Sequence, residues 1–433
     1  MHRRSLLAAP ALLGLASRRA LAQAPVRGGV LTSVIAPEPT LLTTALSTAL
    51  AVTVVAPKMF DGLFVYDWDF RPQPGLATSL ELAADGLSAR IALRSGVKWH
   101  DGKPFTSADV AFTAMEVWKK LHPRLRGLLA NLETAETPDA NTVVLRFSKP
   151  SPALWGNLMG YEAGVLPRHV YEGTDIANNP ANLRPVGTGP FRFAEWSRGE
   201  FIAMDRNPDY WDAGKPYLDR VVFRVIPDGA ARSAAIERGE VLLGSYNPVP
   251  LNDVARLRAL PQLEAETRGY EMANDVAWIE LNVDNRYLSN VKVRQAINIA
   301  FDRNFIARNV WFGLAQPAVS PVPRAVKTFF DPSLPALAMN LERANALLDE
   351  AGFPRGAGGN RFKLTIDWGP YSDGNQRTAE YLRQQLRRIG IDAEIRNSDY
   401  ATWLRLKYTE RDFDVSIYYA SATGDPTIGL QRF

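Results

Sequence analysis

The most restrictive feature of the chain is the alternation of strand and helix patterns that begins near Val276. A β-branched and aromatic run at 276–283 predicts a strand. Ser289 or Asn290 then offers a cap for a helix running to about Val310, and Asn340 caps another that stops at Gly352. A strand over 362–368 precedes a helix over 373–389 ended by Gly390. A strand over 391–396, a helix capped by Ser398 and running to Lys407, and a strand over 412–419 complete the series. Strands separated by whole helices favour βαβ units and a mainly parallel sheet, which places the chain in the α/β class. In open sheets of that class, ligands bind beyond the C-terminal ends of the strands.

The first half is less regular. Strands are expected at 29–36, 88–93, 142–147 and 220–226, with a hairpin from 191–196 and 201–205 around Ser197-Arg198-Gly199-Glu200. Residues 54–61 read as helical and run into the turn Asp61-Gly62, with 63–66 extended beyond it. Asp228 caps a helix reaching Arg238, and a short strand follows over 241–243. Residues 93–113 combine the tight turn Asp101-Gly102 with a helix start at Thr106, whose hydroxyl is placed to accept an orphan backbone N–H. Val110, Ala114, Val117 and Leu121 should then share one buried face. At 433 residues the chain is too long for one core, and it has no internal repeat.

Composition removes several classes of function. The first 24 residues have a basic start at Arg3-Arg4, an apolar run over 6–17, and small-x-small cleavage sites ending at Ala22 or Ala24. This is the pattern of a signal peptide, and the paired arginines, with Arg18-Arg19 after the apolar run, suggest twin-arginine export. The formal charge of +4 is carried by those four arginines, so the rest of the chain is close to neutral. Nothing electrostatic then points to nucleic acid or an anionic membrane. The chain has no Cys, which excludes disulfides, thiolate metal sites and a lipid-modified Cys. Its four His stand at 2, 100, 122 and 169, and none belongs to a zinc or hydrolase motif. No catalytic residues, metal or cofactor are assigned. His100 is expected to be structural.

Six strings occur in a fixed order: Phe60-Asp61-Gly62-Leu63, Pro74-Gly75-Leu76-Ala77 with the 93–113 block, PVGTGPFRF at 185–193, RNPDYWDAGKPYLD at 206–219, VKVRQAINIAFDR at 291–303, and LLDEAG at 347–352. Together they resemble solute-binding protein family 5, the dipeptide, oligopeptide and nickel-type receptors of ABC importers. The resemblance implies a two-lobe periplasmic binding protein fold of class II type with an extra subdomain inserted in lobe I. Mapped here, lobe I takes 26–57 and 184–272, its insert takes 58–183, and lobe II takes 273–433. Hinges fall near 184–186 and 270–273. The family usually continues beyond a point like Phe433, so a C-terminal return to lobe I is expected to be missing. The implied protein is a soluble, unanchored, monomeric periplasmic receptor that closes on a peptide-like or other small polar solute and passes it to inner-membrane permease subunits.

Binding needs apolar and aromatic walls with a few fixed polar groups. Tyr400, Trp403, Tyr418, Tyr419 and Asp425 supply these near the chain end, the last three by a predicted strand end. In peptide-binding relatives an acid in this region pairs with the ligand's amino group, and Asp425 is the matching position. Residues 420–423 are small and uncharged where relatives often carry Trp and an acid, which argues against a dipeptide. Nickel complexes are disfavoured because lobe II has no His. In lobe I, Glu38 and Thr40 follow the first strand and could reach the cleft. Alternatives are a periplasmic hydrolase on the same scaffold and a sensory or chaperone-like binder without an importer.

Overall fold

The computed structural model describes residues 25–68, 71–246, 248–267, 275–327 and 329–421. The first lobe is built on a five-stranded sheet. Val30–Ile35 runs parallel to Arg220–Val225 on one side and to the short Leu243–Gly244 on the other. Phe201–Arg206 and Phe191–Ser197 extend the sheet antiparallel as the expected hairpin. Arg220–Val225 alternates buried and half-buried positions, which is how a β-branched run fits a sheet covered on one face. The core beneath it combines Ile35, Val52, Phe60 and Tyr171 with Ile202 and Phe223.

The insert is a four-stranded antiparallel sheet in the order Ala77–Leu82, Ser88–Leu93, Thr142–Phe147, Leu132–Asp139. It has its own core, which includes Ile91, Trp99, Val110, Trp118 and Leu145. The second lobe holds Phe362–Trp368 between Ile391–Arg396 and Val415–Ser421, parallel to both, with Asp275–Leu281 antiparallel on the outer edge. The helix Asp373–Arg388 lays Ala379, Leu382 and Leu386 onto this sheet, all fully buried. Burial at that level stabilises by roughly 1.5–3 kcal/mol per large aliphatic side chain.

Three local expectations are corrected. The helix after Asn290 ends at Asn298, and a second begins at Arg303. Asp302 captures the Asn304 N–H at 2.8 Å and gives its own N–H to the Tyr381 hydroxyl, so local capping wins over continuation. Asp399, not Ser398, caps the next-to-last element, accepting the Thr402 N–H at 3.0 Å. At the 93–113 block the expected Thr106 start is a capping box, in which the Asp109 carboxylate also accepts the Thr106 N–H at 2.9 Å. Leu121 is 38% exposed although Val110, Ala114 and Val117 are buried. Wide turns, seen where Lys119 N–H reaches the Ala114 carbonyl, rotate later positions off the expected face.

Four of the six strings meet at the junction between insert and first lobe. The buried Asp61 carboxylate accepts the Trp211 indole N–H at 2.8 Å, the Thr188 hydroxyl at 3.0 Å and the Tyr210 hydroxyl at 3.1 Å. Burial pushes this carboxyl above its usual range, against the pull of those three donors. The His100 ring accepts the Gly187 N–H on Nδ1 at 3.1 Å and donates from Nε2 to the Gly189 carbonyl at 3.0 Å. An amide can only donate and a carbonyl can only accept, so the ring is held as one neutral tautomer. A Cβ on Gly187 would overlap the Met59 carbonyl oxygen, and one on Gly62 would overlap the Gly160 amide. These glycines are required by close backbone approach.

Two outcomes follow from this junction. Gly187→Ala should destabilise by about 1–3 kcal/mol or more through overpacking against Met59, measured by chemical denaturation. Wild-type stability there would show that the backbones can part freely. His100 and His122, both held near pKa 4 chiefly by burial, each contribute a loss of stability on acidification. Unfolded imidazoles titrate near 6.5, so between about 6.5 and 4 the unfolded chain binds more protons. The contribution of both rings is complete above pH 6.5 and lost as pH falls toward 4. The melting temperature should therefore drop across that window, and less steeply in His100→Asn. Equal slopes in the two proteins would remove His100 from the account.

Candidate functional site

Both lobes turn the C-terminal ends of their parallel strands toward a shared cleft of about 3510 Å3. From the first lobe come residues 36–40 beyond Ile35, and Pro227, Gly229 and Arg232 beyond Val225. From the second come Pro370 and Tyr371 beyond Trp368, with Tyr418 and Tyr419 on the last described strand. The insert adds Arg124, Arg126 and Ser151. Small-molecule pockets occupy roughly 300–1,000 Å3. The cleft between the lobes is several times that size.

The second-lobe wall is aromatic. Tyr371 packs edge-on against Tyr400 and Trp403, each at 5.9 Å between ring centroids, and against Tyr419 at 5.0 Å. Its hydroxyl donates to the Tyr419 carbonyl at 2.8 Å and accepts the Tyr419 N–H at 3.2 Å. One phenol thus ties the loop after Trp368 to the neighbouring strand. Trp311 closes the group from the other side, 6.3 Å from Tyr419. Burial, followed by the Asp275 charge, pushes the Tyr419 phenol up to about 12, so it acts as a neutral hydroxyl at ordinary pH.

The residues expected at the site divide by role. Tyr400 is 53% exposed and presents its ring to the cleft. Trp403 is only 3% exposed, lies stacked under Tyr400, and places its indole N–H 3.3 Å from the Ser416 hydroxyl. Tyr418 is 2% exposed and donates to Glu280 at 2.6 Å. That carboxylate also pairs with the buried Lys407 ammonium, which sits 4.1 Å from the Tyr418 ring centroid. Trp403 and Tyr418 form the floor of the wall, with their polar tips used inside the protein.

In the first lobe Glu38 and Thr40 both line the cleft. Glu38 also has partners within the protein. It accepts the Trp196 indole N–H at 2.7 Å and the Gly199 N–H at 3.2 Å, which fastens the loop after Ile35 to the hairpin. Asp425 lies outside the described residues, as does the whole 270–273 crossing. Sequence reasoning missed Tyr371 and Arg232. Tyr371 stands three residues beyond Trp368 and Arg232 lies on the helix that follows Val225, so the strand-end rule used for Tyr418 and Tyr419 points to both neighbourhoods. It also missed Tyr246, whose hydroxyl reaches Asp275 at the start of the second-lobe sheet from a left-handed backbone position with φ 51°. Among the described residues no group of three or more His, Asp or Glu could hold a metal ion, and no helix is long and apolar enough to cross a membrane.

The model of the bacterial extracellular solute-binding proteins, family 5 (middle region), matches residues 71–433. The chain belongs to this family. It is 28% identical to the oligopeptide-binding protein AppA of Bacillus subtilis over 91% of this chain and 74% of the relative. The structure of that protein in complex with a nonapeptide superposes with a TM-score of 0.79, covering 93% of this chain and 81% of the other at 27% identity. The glutathione-binding protein GsiB of Pectobacterium atrosepticum is 28% identical over 86% of this chain and 74% of its own length. The binding protein AgaA, solved with agropinic acid, matches with a TM-score of 0.74 and 30% identity over 90% of this chain and 76% of the other. The fold is the two-lobe α/β fold of these receptors, and the family is one of binding proteins.

The buried ion pair beneath the wall generates a test. Lys407→Ala leaves Glu280 without its cation and should cost about 3 kcal/mol, whereas the double change Lys407→Met with Glu280→Gln should recover most of it. Urea denaturation of the three proteins measures both values. A single variant as stable as wild type would show that the pair does not hold the wall.

Proposed function

We propose that the chain is an exported periplasmic receptor of an ABC importer, soluble and not lipid-anchored. It captures a peptide-like or other small polar solute between its lobes and delivers it to permease subunits in the inner membrane. The observation that carries this reading is the cleft into which both lobes direct their strand ends, with an aromatic wall on one side. In this reading the first 24 residues are the export signal. Lobe I is 26–57 and 184–272 with 58–183 inserted, and lobe II is 273–433. Closure turns about 184–186 and 270–273. The ligand drives it only by binding the closed form more tightly than the open one. Tyr400, Tyr419, Thr40 and, on the following segment, Asp425 are proposed to meet the solute. Trp403, Tyr418 and Glu38 shape the surfaces around it. Asp425 is proposed to take an amino group where the ligand carries one.

The reading predicts that protein purified from its native host retains a small solute, identifiable by mass spectrometry after denaturation. A stripped sample should gain about 2.7 kcal/mol of stability at a ligand concentration one hundred times Kd. Thermal-shift screening across peptides, amino-acid derivatives and organic acids checks this. Absence of any stabilising solute would overturn the receptor reading, and turnover of a bound solute would replace it with a hydrolase.

A further inference from the structure

The charges lining the cleft are not balanced. Among the described lining residues there are seven arginines, no lysine and five carboxylates. Arg124 is neutralised by Glu162. Arg126, Arg232, Arg258, Arg303, Arg324 and Arg377 make no ion pair with a carboxylate among the described residues. Two of the five acids are already committed, Glu38 to Trp196 and Gly199 and Asp275 to Tyr246. Arg232 is the most firmly held of the six. It donates to three neutral carbonyls, those of Pro248 at 2.6 Å, Pro227 at 2.6 Å and Ile226 at 2.9 Å, with Asp228 the nearest charge acting on it. With Arg124 set aside, the six remaining arginines outnumber the five acids by one among the described lining residues.

The aromatic wall at first suggests a cationic ligand, because ring faces attract ammonium and guanidinium groups. Several of those faces are already taken by the protein's own cations. Lys407 lies 4.1 Å from the Tyr418 ring centroid and 5.2 Å from that of Tyr408. Arg377 lies 5.3 Å from the Phe312 centroid, and Arg324 lies 5.1 Å from that of Phe330. A ligand cation would meet like charge beside the rings and across the cleft. A planar ring can still stack on the open face of Tyr400, and a carboxylate matches a guanidinium fork.

We infer that the cleft selects a net-anionic solute that carries a carboxylate together with an aromatic or other planar group, the ring stacking on Tyr400 and the carboxylate facing the arginines. This deepens the receptor reading and rests on it. It makes the sign of the solute's charge, more than its peptide character, the basis of selection.

Four probes of similar build separate the two halves of the inference. They are N-acetylphenylalanine, its neutral primary amide, cationic phenylalanine amide, and N-acetylalanine, which lacks the ring. Titration calorimetry on the full chain should give the acid about tenfold tighter binding than the neutral amide, weakening as salt rises, with weaker binding still for the cation. Removing the ring should cost a further factor of about ten, and so should Tyr400→Ala with the ring-bearing acid. Arg258→Gln and Arg126→Gln alter exposed side chains, so folding should survive. They should weaken the acid several-fold and leave the neutral amide unchanged. Equal or tighter binding of the cation overturns the inference, as does loss of binding to acid and amide alike in the arginine variants. If none of the four probes binds while other solutes in the screen stabilise the protein, the inference fails and the receptor reading stands. If no solute of any kind stabilises it, both fail.

Discussion

The buried carboxylate of Asp61 is the point on which the relation between insert and first lobe depends. Three donors from two distant segments converge on it: Thr188, Tyr210 and Trp211. Each donor meets a charged acceptor there, which makes these hydrogen bonds stronger than neutral ones. Around it, Gly187 and Gly189 let one backbone lie directly on the Met59 carbonyl. His100 then fastens the insert's turn to the same loop. The insert carries Arg124 and Arg126 to the edge of the cleft. A tilt at the junction would therefore move one wall of the binding space relative to the other.

Much of the architecture was readable because local signals and packing agree. The helix Leu341–Glu350 has its Asn340 cap, its buried stripe and the positive-φ Gly352 all where the pattern puts them. Phe362–Trp368 and Ile391–Arg396 are bounded by turn residues and alternate over their first four or five positions. The failures occur where a competing local bond wins. Asp302 and Asp399 are strong caps that reset helix starts, and the widened turns near Ala114 carry Leu121 into solvent. A periodicity count treats every turn as equal and cannot register either effect.

The site was less legible, for a different reason. Aromatic type and strand-end position were enough to single out Tyr400, Trp403, Tyr418 and Tyr419. They could not tell an exposed contact from a buried support. That distinction comes from partners far away in sequence. Tyr418 is tied to Glu280 across 138 positions, and Glu38 is tied to Trp196 across 158. The same distance hid the functional meaning of the six strings. They identify the family because they build the junction and the cores, and they lie mostly away from the cleft wall.

The bond from Tyr246 to Asp275 has a mechanical consequence. Asp275 stands at the start of the second-lobe sheet, directly beyond the crossing proposed as a pivot. A contact so close to an axis has a short lever arm. When the outer lips of the cleft travel several ångströms, its two ends move by a small fraction of that distance. It can persist through the whole swing and resist shear and twist while leaving rotation nearly free. The pair would then act as a bearing, keeping the lobes in register so that the aromatic face and the arginine-bearing face return to the same alignment each time they meet.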